Sequence, residues 1–330
     1  MDKTPPNPIR VVFALLPHST AIDWAGPAEA LRIANQWLAA NRQPARFRIE
    51  FSSPEPQTLS SVGVTLASLA PLPERWDGPG WIVLVGQPGG ALDLRTPQAR
   101  ALLRWLRVQP LAEGRLELVT ICAGAMIAAH AGLLDGRRAT THHLYLDDLR
   151  KAAPRCEVLG NRVFVLDAPV FSSAGMITGI DLMLHRIGAL CGDALAARVA
   201  QAMVMPLRRG PHDPQLSPFL AHRDHLHSAL HRVQDAVSAQ PQTDWTVPRM
   251  AALAHTSSRH LARLFAEHAG VTPLAYLRRL RLASAQAALQ AGQGVTQAAA
   301  MAGFNSDTQL RRAWRQFGLP GSPSASWAQG

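Results

Sequence analysis

Two patterns of short helix, tight turn and second helix follow one another in the last quarter of this chain, from about residue 246 to 318. They restrict the C-terminal fold more than any other feature. The first pattern runs over residues 247–254, breaks at 255–257 and resumes over 258–265. The second runs over 295–302, breaks at 303–305 and resumes over 306–314. A serine opens each resumed helix, where its hydroxyl can accept a hydrogen bond from a free backbone N–H. Leu261, Leu264 and Phe265 share one face of the first such helix, and Leu310, Ala313 and Trp314 share one face of the second. The open faces carry Arg259, His260 and Arg263, then Asp307, Thr308, Arg311 and Arg312. A connecting helix is predicted over 273–290, with Leu274, Leu277, Leu280, Leu282, Ala285 and Leu289 expected to join both patterns into one core. An amphipathic helix with cations on its open face suits a DNA major groove. Two such helices fixed to one connecting helix suit successive grooves, about 34 Å apart. On periodicity alone, a helical bundle with a solvated arginine face is the alternative.

Charge supports the first reading. The 330 residues carry 33 basic and 23 acidic side chains, a net charge of +10. Residues 220–330 hold eleven arginines, no lysine and five acids, so the C-terminal third has most of the excess. Such a surface favours a polyanion. Hydrophobic content of 47% and charged content of 17% suit a folded chain of two domains. Three scattered cysteines, Cys122, Cys156 and Cys191, argue against a disulfide framework or a cysteine-rich zinc site. Neither a signal-like apolar run near Met1 nor a membrane-length apolar window is found, so a cytoplasmic location and no membrane partner are expected.

The first two hundred residues alternate strand and helix. Residues 9–17 and 81–86 are near-continuous apolar runs, the pattern of parallel strands buried on both faces. A helix follows from Asp23 with Pro27 in its first turn, and further strands are predicted at 47–52, in short pieces over 59–70, and at 116–121. An α/β sandwich with a mostly parallel sheet follows from that order. At its most informative point a strand ends at Ile121, Cys122 follows at once, and a helix begins. A thiol on such a turn lies at the positive end of a helix, which favours thiolate. A small cysteine packed at a strand end fits the same residues.

Residues 257–265 (Ser-Ser-Arg-His-Leu-Ala-Arg-Leu-Phe), Gly270 to Pro273, Tyr276-Leu277, Arg281-Leu282 and Ala302-Gly303-Phe304 together resemble the AraC/XylS-type DNA-binding domain, over about 235–327. Departures are Ala298-Ala299-Ala300, where that family has a bulky aliphatic residue, and the tail Phe317 to Pro323 with Trp327 beyond it. Looser packing of the second pattern is the expectation. Further upstream, Cys122-Ala123-Gly124, Thr140-Thr141-His142, Ser172 to Gly175 and Gly179 to Leu182 resemble the DJ-1/PfpI class, over about 9–207, in the branch fused to an AraC-type domain, the GlxA-type regulators.

The resemblance implies a flavodoxin-like α/β sandwich of DJ-1/PfpI type over 1–207, a linker over 208–219 and an all-α domain with two helix-turn-helix units over 220–330. It implies a transcription regulator that binds promoter DNA through Arg259, Ala262, Arg263, Asp307, Thr308, Arg311 and Arg312. Cys122 matches the family's elbow cysteine, Asp23 its acidic residue and His142 a nearby histidine, so these three are the candidate ligand pocket for a small effector. A homodimer is expected, with neither a cofactor nor a metal. Peptidase-like members have a histidine directly after the cysteine; Ala123 stands there, so no catalysis is expected. The alternatives are a cysteine-dependent enzyme or a redox sensor using Cys122. A helix starting near Leu220 is predicted to carry His222, His225, His227 and His231; the last two have metal-ligand spacing, but a solvated face is the simpler reading.

Overall fold

The computed structural model describes residues 7–89, 93–205, 209–211, 213, 215–319 and 321–324. Met1 to Pro6, Arg208, Pro320 and Trp327 of the expectations above lie outside the described residues. The chain divides into two compact units, 1–215 and 216–330.

The first unit contains, in order, β1 (Ile9–Ala14), α1 (Ala21–Ala40), β2 (Phe47–Ser52), β3 (Gln57–Leu59), β4 (Thr65–Ala67), β5 (Gly80–Leu84), α2 (Pro97–Arg107), β6 (Leu116–Ile121), α3 (Gly124–His130), β7 (Arg138–Ala139), α4 (Leu146–Ala152), β8 (Glu157–Val158), β9 (Phe164–Asp167), β10 (Val170–Ser173), α5 (Ile177–Cys191) and α6 (Asp193–Ala202). Six strands form the main sheet in the order β2-β1-β5-β6-β10-β9. Every pairing is parallel except β10 with β9. The central strands β5 and β6 are buried along their whole length, because helices cover both faces of the sheet. Helices α1, α5 and α6 pack on one another; α2 and α4 each pack on α3. The first strand is shorter than its apolar run: it stops at Ala14, and Leu15 and Leu16 continue into the core as loop.

In such a sheet the loops at the carboxyl ends of parallel strands gather on one edge. The ends of β1, β5, β6 and β10 bring together Asp23, Gly86, Cys122 and Gly175 there.

The second unit consists of α7 (Ser228–Ala239), α8 (Val247–Leu253), α9 (Ser258–Leu264), α10 (Pro273–Gln290), α11 (Val295–Met301) and α12 (Asp307–Gln316). Side-chain caps start most of them: Thr246, Ser257, Thr272 and Ser306 each accept the backbone N–H three residues on. The expected single core is in fact two. Leu261, Phe265, Tyr276, Leu277 and Leu280 belong to one cluster, and Leu282, Ala285, Leu289, Ala298, Ala299 and Trp314 to another. The helix α10 serves the first with its front half and the second with its back half. Leu274 belongs to neither and is 40% exposed. The alanines of α11 have a use: Ala298 and Ala299 are buried beside a fully buried Trp314, so one large side chain fills what small ones leave.

The first helix of this unit begins at Ser228, not near Leu220. His227 is its cap, its Nδ1 accepting from the Leu230 N–H at 3.3 Å. His222 and His225 therefore precede the helix, and a ring used as a cap does not present the expected helical i, i+4 pair.

Candidate ligand pocket and nucleic-acid interface

Cys122 occupies a sharp elbow between β6 and α3, with φ at +56°, a region costly for any residue with a Cβ. Neighbouring glycines make the elbow possible. A Cβ on Gly124 would lie 2.2 Å from the Leu84 carbonyl oxygen, and one on Gly175 would lie 2.2 Å from the Cβ of Cys122. Asp23, in the first turn of α1, is completely buried. Its Oδ1 accepts the Met176 N–H at 2.7 Å and its Oδ2 the Gly86 N–H at 3.2 Å. It also shares a hydrogen bond with the Cys122 thiol. Asp23 thus ties the ends of β1, β5, β6 and β10 together.

The electrostatics reverse the sequence expectation. Burial and the adjacent Asp23 push the Cys122 thiol up to about 12. Burial also raises Asp23 above the usual carboxylate range, against the two backbone N–H bonds. The helix α3 offers seven residues of dipole, and the Ala123 N–H favours thiolate, but desolvation and a facing carboxylate outweigh both. The group is a neutral thiol near pH 7.

His142 stands one residue from the contact that matters. The Thr141 hydroxyl donates to the Cys122 carbonyl oxygen at 2.8 Å. The His142 ring accepts weakly from the Leu144 N–H at 3.4 Å and lies against His143 and Tyr145, with centroids 4.3 and 5.6 Å away. Burial, and then the His143 charge, lower its pKa. The elbow brings Asp23 and Cys122 into direct contact, whereas the imidazole of His142 is bonded within its own loop. A cavity of about 380 Å³ opens past the ends of β1 and β5, lined by Leu16, Pro17, His18, Ser61, Gln87 and Asp93 among others. None of the three sequence candidates lines it. The turn residues directly after β1 and β5, Pro17-His18 and Gly86-Gln87, were the available signal for it.

In the second unit, Arg259, Ala262 and Arg263 are exposed on α9. Arg263 Nη2 is held 2.9 Å from His260 Nδ1. On α12, Thr308 and Arg312 are exposed, and Asp307 and Arg311 are half-buried. Asp307 Oδ2 accepts the Thr296 hydroxyl at 3.0 Å, which fastens α12 to α11. Gln309 and Arg315 also lie on the exposed face of α12; the helical period counted from Thr308 through Arg312 would have found Arg315. The histidines near α7 lie ring against ring in tilted pairs, His225 with His231 at 4.4 Å and His227 with His268 at 5.1 Å. Among the described residues no group of three or more His, Cys, Asp or Glu could hold a metal ion.

Comparison with known proteins gives two family matches. A helix-turn-helix domain model matches residues 250–319, and a DJ-1/PfpI family model matches residues 74–188. The chain is 30% identical to the HTH-type transcriptional regulator CdhR of Pseudomonas aeruginosa, over 92% of this chain and 87% of that one. It is 28% identical to the HTH-type transcriptional regulator GlxA of Rhizobium meliloti, over 94% and 93% of the two chains. A solved THiJ/PfpI family protein from Pseudomonas syringae superposes with a TM-score of 0.50 at 17% identity, covering 77% of this chain and 94% of that one, a likeness of fold alone.

Proposed function

We infer how this protein works from one premise: the chain belongs to the AraC-type helix-turn-helix transcriptional regulators that carry a DJ-1/PfpI domain. It is a DNA-binding transcription regulator. In our reading α9 and α12 enter successive major grooves of an operator. Arg259, Ala262 and Arg263 face bases in the first, and Thr308, Arg311 and Arg312 in the second, with Asp307 at the mouth of that helix. Arginine can pair bidentately with guanine, and Ala262 offers apolar contact to a thymine methyl. The observation that carries this reading is the pair of arginine-bearing exposed helices attached to one α10. Its 18 residues span about 27 Å at 1.5 Å per residue, on the scale of one DNA turn.

The first unit, in this reading, binds a small effector at the strand-end edge beside Asp23 and Cys122 and forms a homodimer in the cytoplasm. Domain 1–207 senses, 208–219 connects and 220–330 reads DNA. Catalysis is not part of the proposal. Ala123 follows the cysteine where a base would stand, and a thiol pushed up to about 12 is a poor nucleophile at neutral pH. The same neutral thiol disfavours an oxidation sensor.

The experiment is a binding titration on DNA upstream of its own and neighbouring genes, against competitor DNA and at several salt concentrations. Preference for one fragment by at least about a thousandfold supports the reading. Equal, steeply salt-dependent binding to all fragments marks plain polyanion attraction and defeats it.

A further inference from the structure

A stretch such as 208–219, rich in proline and glycine, reads as free connection. Its described front part is instead bonded into the first unit, and the bonds lead back to the elbow. Gln215, the last residue of that unit, is 8% exposed. Its Nε2 donates to the Thr141 carbonyl at 2.8 Å and lies 3.2 Å from the Thr140 hydroxyl oxygen. Thr141 in turn donates its hydroxyl to the Cys122 carbonyl at 2.8 Å. Two bonds and one intervening residue therefore join the elbow to the point where the first unit ends.

A second tie holds the other end of the segment. Arg209 Nε and Nη2 donate to Asp181 Oδ2 at 2.9 and 2.7 Å, and its backbone N–H to Oδ1 at 3.2 Å. Asp181 is buried on α5, and the residue capping that helix, Met176, is the one whose N–H Asp23 accepts. Between the ties, the Val163 N–H donates to the Asp213 carbonyl at 3.0 Å. Both ends of the segment thus answer to the two residues that form the elbow.

The seat is not deep. Gln215 Oε1 is buried and has no partner among the described residues. A buried acceptor left unpaired offsets much of what the two donor bonds contribute. A marginally seated segment is suited to open as a unit.

We propose that Arg209, Asp213 and Gln215 fasten a latch that reads the elbow: seated while Thr141 is held by Cys122, and released when an effector shifts that contact. Release of these ties lengthens the free connection and so changes how far the DNA-binding unit can reach between half-sites. The latch rests on the reading that an effector binds by the elbow and that the second unit reads DNA.

The test uses the full chain and needs no effector. Trypsin cleavage of the Arg209–Gly210 bond is timed by mass spectrometry in wild type, Thr141→Val, Gln215→Ala, the double variant and an exposed control, Gln201→Ala. Thermal melting confirms that each is folded. Thr141→Val and Gln215→Ala should each speed that cleavage about tenfold, an opening shift of ~1.4 kcal/mol. The double variant should be no faster than either single one, since both break one path. Operator affinity of both variants should move in the same direction by at least about threefold. Wild-type cleavage in a folded Thr141→Val overturns the latch. So does faster cleavage with unchanged operator affinity. If wild type shows no operator preference while cleavage still responds, the DNA-binding reading fails and the seat of Gln215 stands.

Discussion

The Asp23 carboxylate and the Cys122 thiol share a hydrogen bond in a buried notch, and the acid makes the thiol harder to ionise. With the thiol pushed up to about 12, its thiolate fraction at pH 8 is about one in ten thousand. Alkylation of Cys122 by iodoacetamide, followed by peptide mass spectrometry, should be slow at pH 8 and rise steadily toward pH 11. Asp23→Asn removes the facing charge and should speed it about tenfold at pH 8. Rapid labelling of the wild type at pH 7 would refute this account of the elbow.

Backbone contact at the elbow predicts a sharp contrast between two glycines. An alanine Cβ at Gly124 would meet the Leu84 carbonyl oxygen at 2.2 Å, where only backbone movement gives room. Gly124→Ala should cost about 3 kcal/mol or more in urea unfolding. At Gly78 nothing lies within 4 Å, and Gly78→Ala should stay within about 0.5 kcal/mol of wild type. Equal stabilities would mean that α3 is not pressed onto β5 as described.

The two clusters of the DNA-binding unit should come apart under mutation. Trp314 is completely buried and belongs to the second cluster, not the first. Trp314→Ala should cost about 3–5 kcal/mol. Amide exchange should then quicken in α11, α12 and the back half of α10, while α8 and α9 keep most of their protection. Uniform loss across the unit would show one core rather than two.

Acid should weaken this unit through its histidines. Burial lowers the pKa of His225, aided by the charges of His231, His268 and His227; burial also lowers that of His222, with Arg279 adding to it. A histidine depressed in the folded state contributes stability that is present above pH 6.5 and is lost as pH falls through its folded value. Melting temperature should therefore fall between pH 7 and pH 5, and His225→Gln should flatten the slope. A melting temperature that climbs over that range would reverse the sign argued here.

Much of this was legible in the chain itself. The caps Ser257 and Ser306, the fully buried β5 and β6 and the elbow at Cys122 follow from local pattern, because caps and strand periods are set by neighbours in sequence. What escaped was set by distant residues. Asp23 reaches Cys122 across about a hundred positions, and burial together with that carboxylate, not the short helix beside the thiol, decides the protonation state. Thr141 looked like the flank of His142 until folding placed its hydroxyl on the Cys122 carbonyl. Gln215 read as linker because nothing in a proline-rich stretch announces a burial site. His227 matched a helix-face pattern and serves instead as a cap.

The central claim is that two helices of one unit read one operator, and footprinting with hydroxyl radicals tests it most directly. Wild type should protect two patches about one helical turn, 10–10.5 base pairs, apart. Arg263→Ala should weaken one patch, Arg312→Ala the other, each lowering preference for the operator by about 1–3 kcal/mol. A single protected patch, or both substitutions weakening the same patch, would contradict the account.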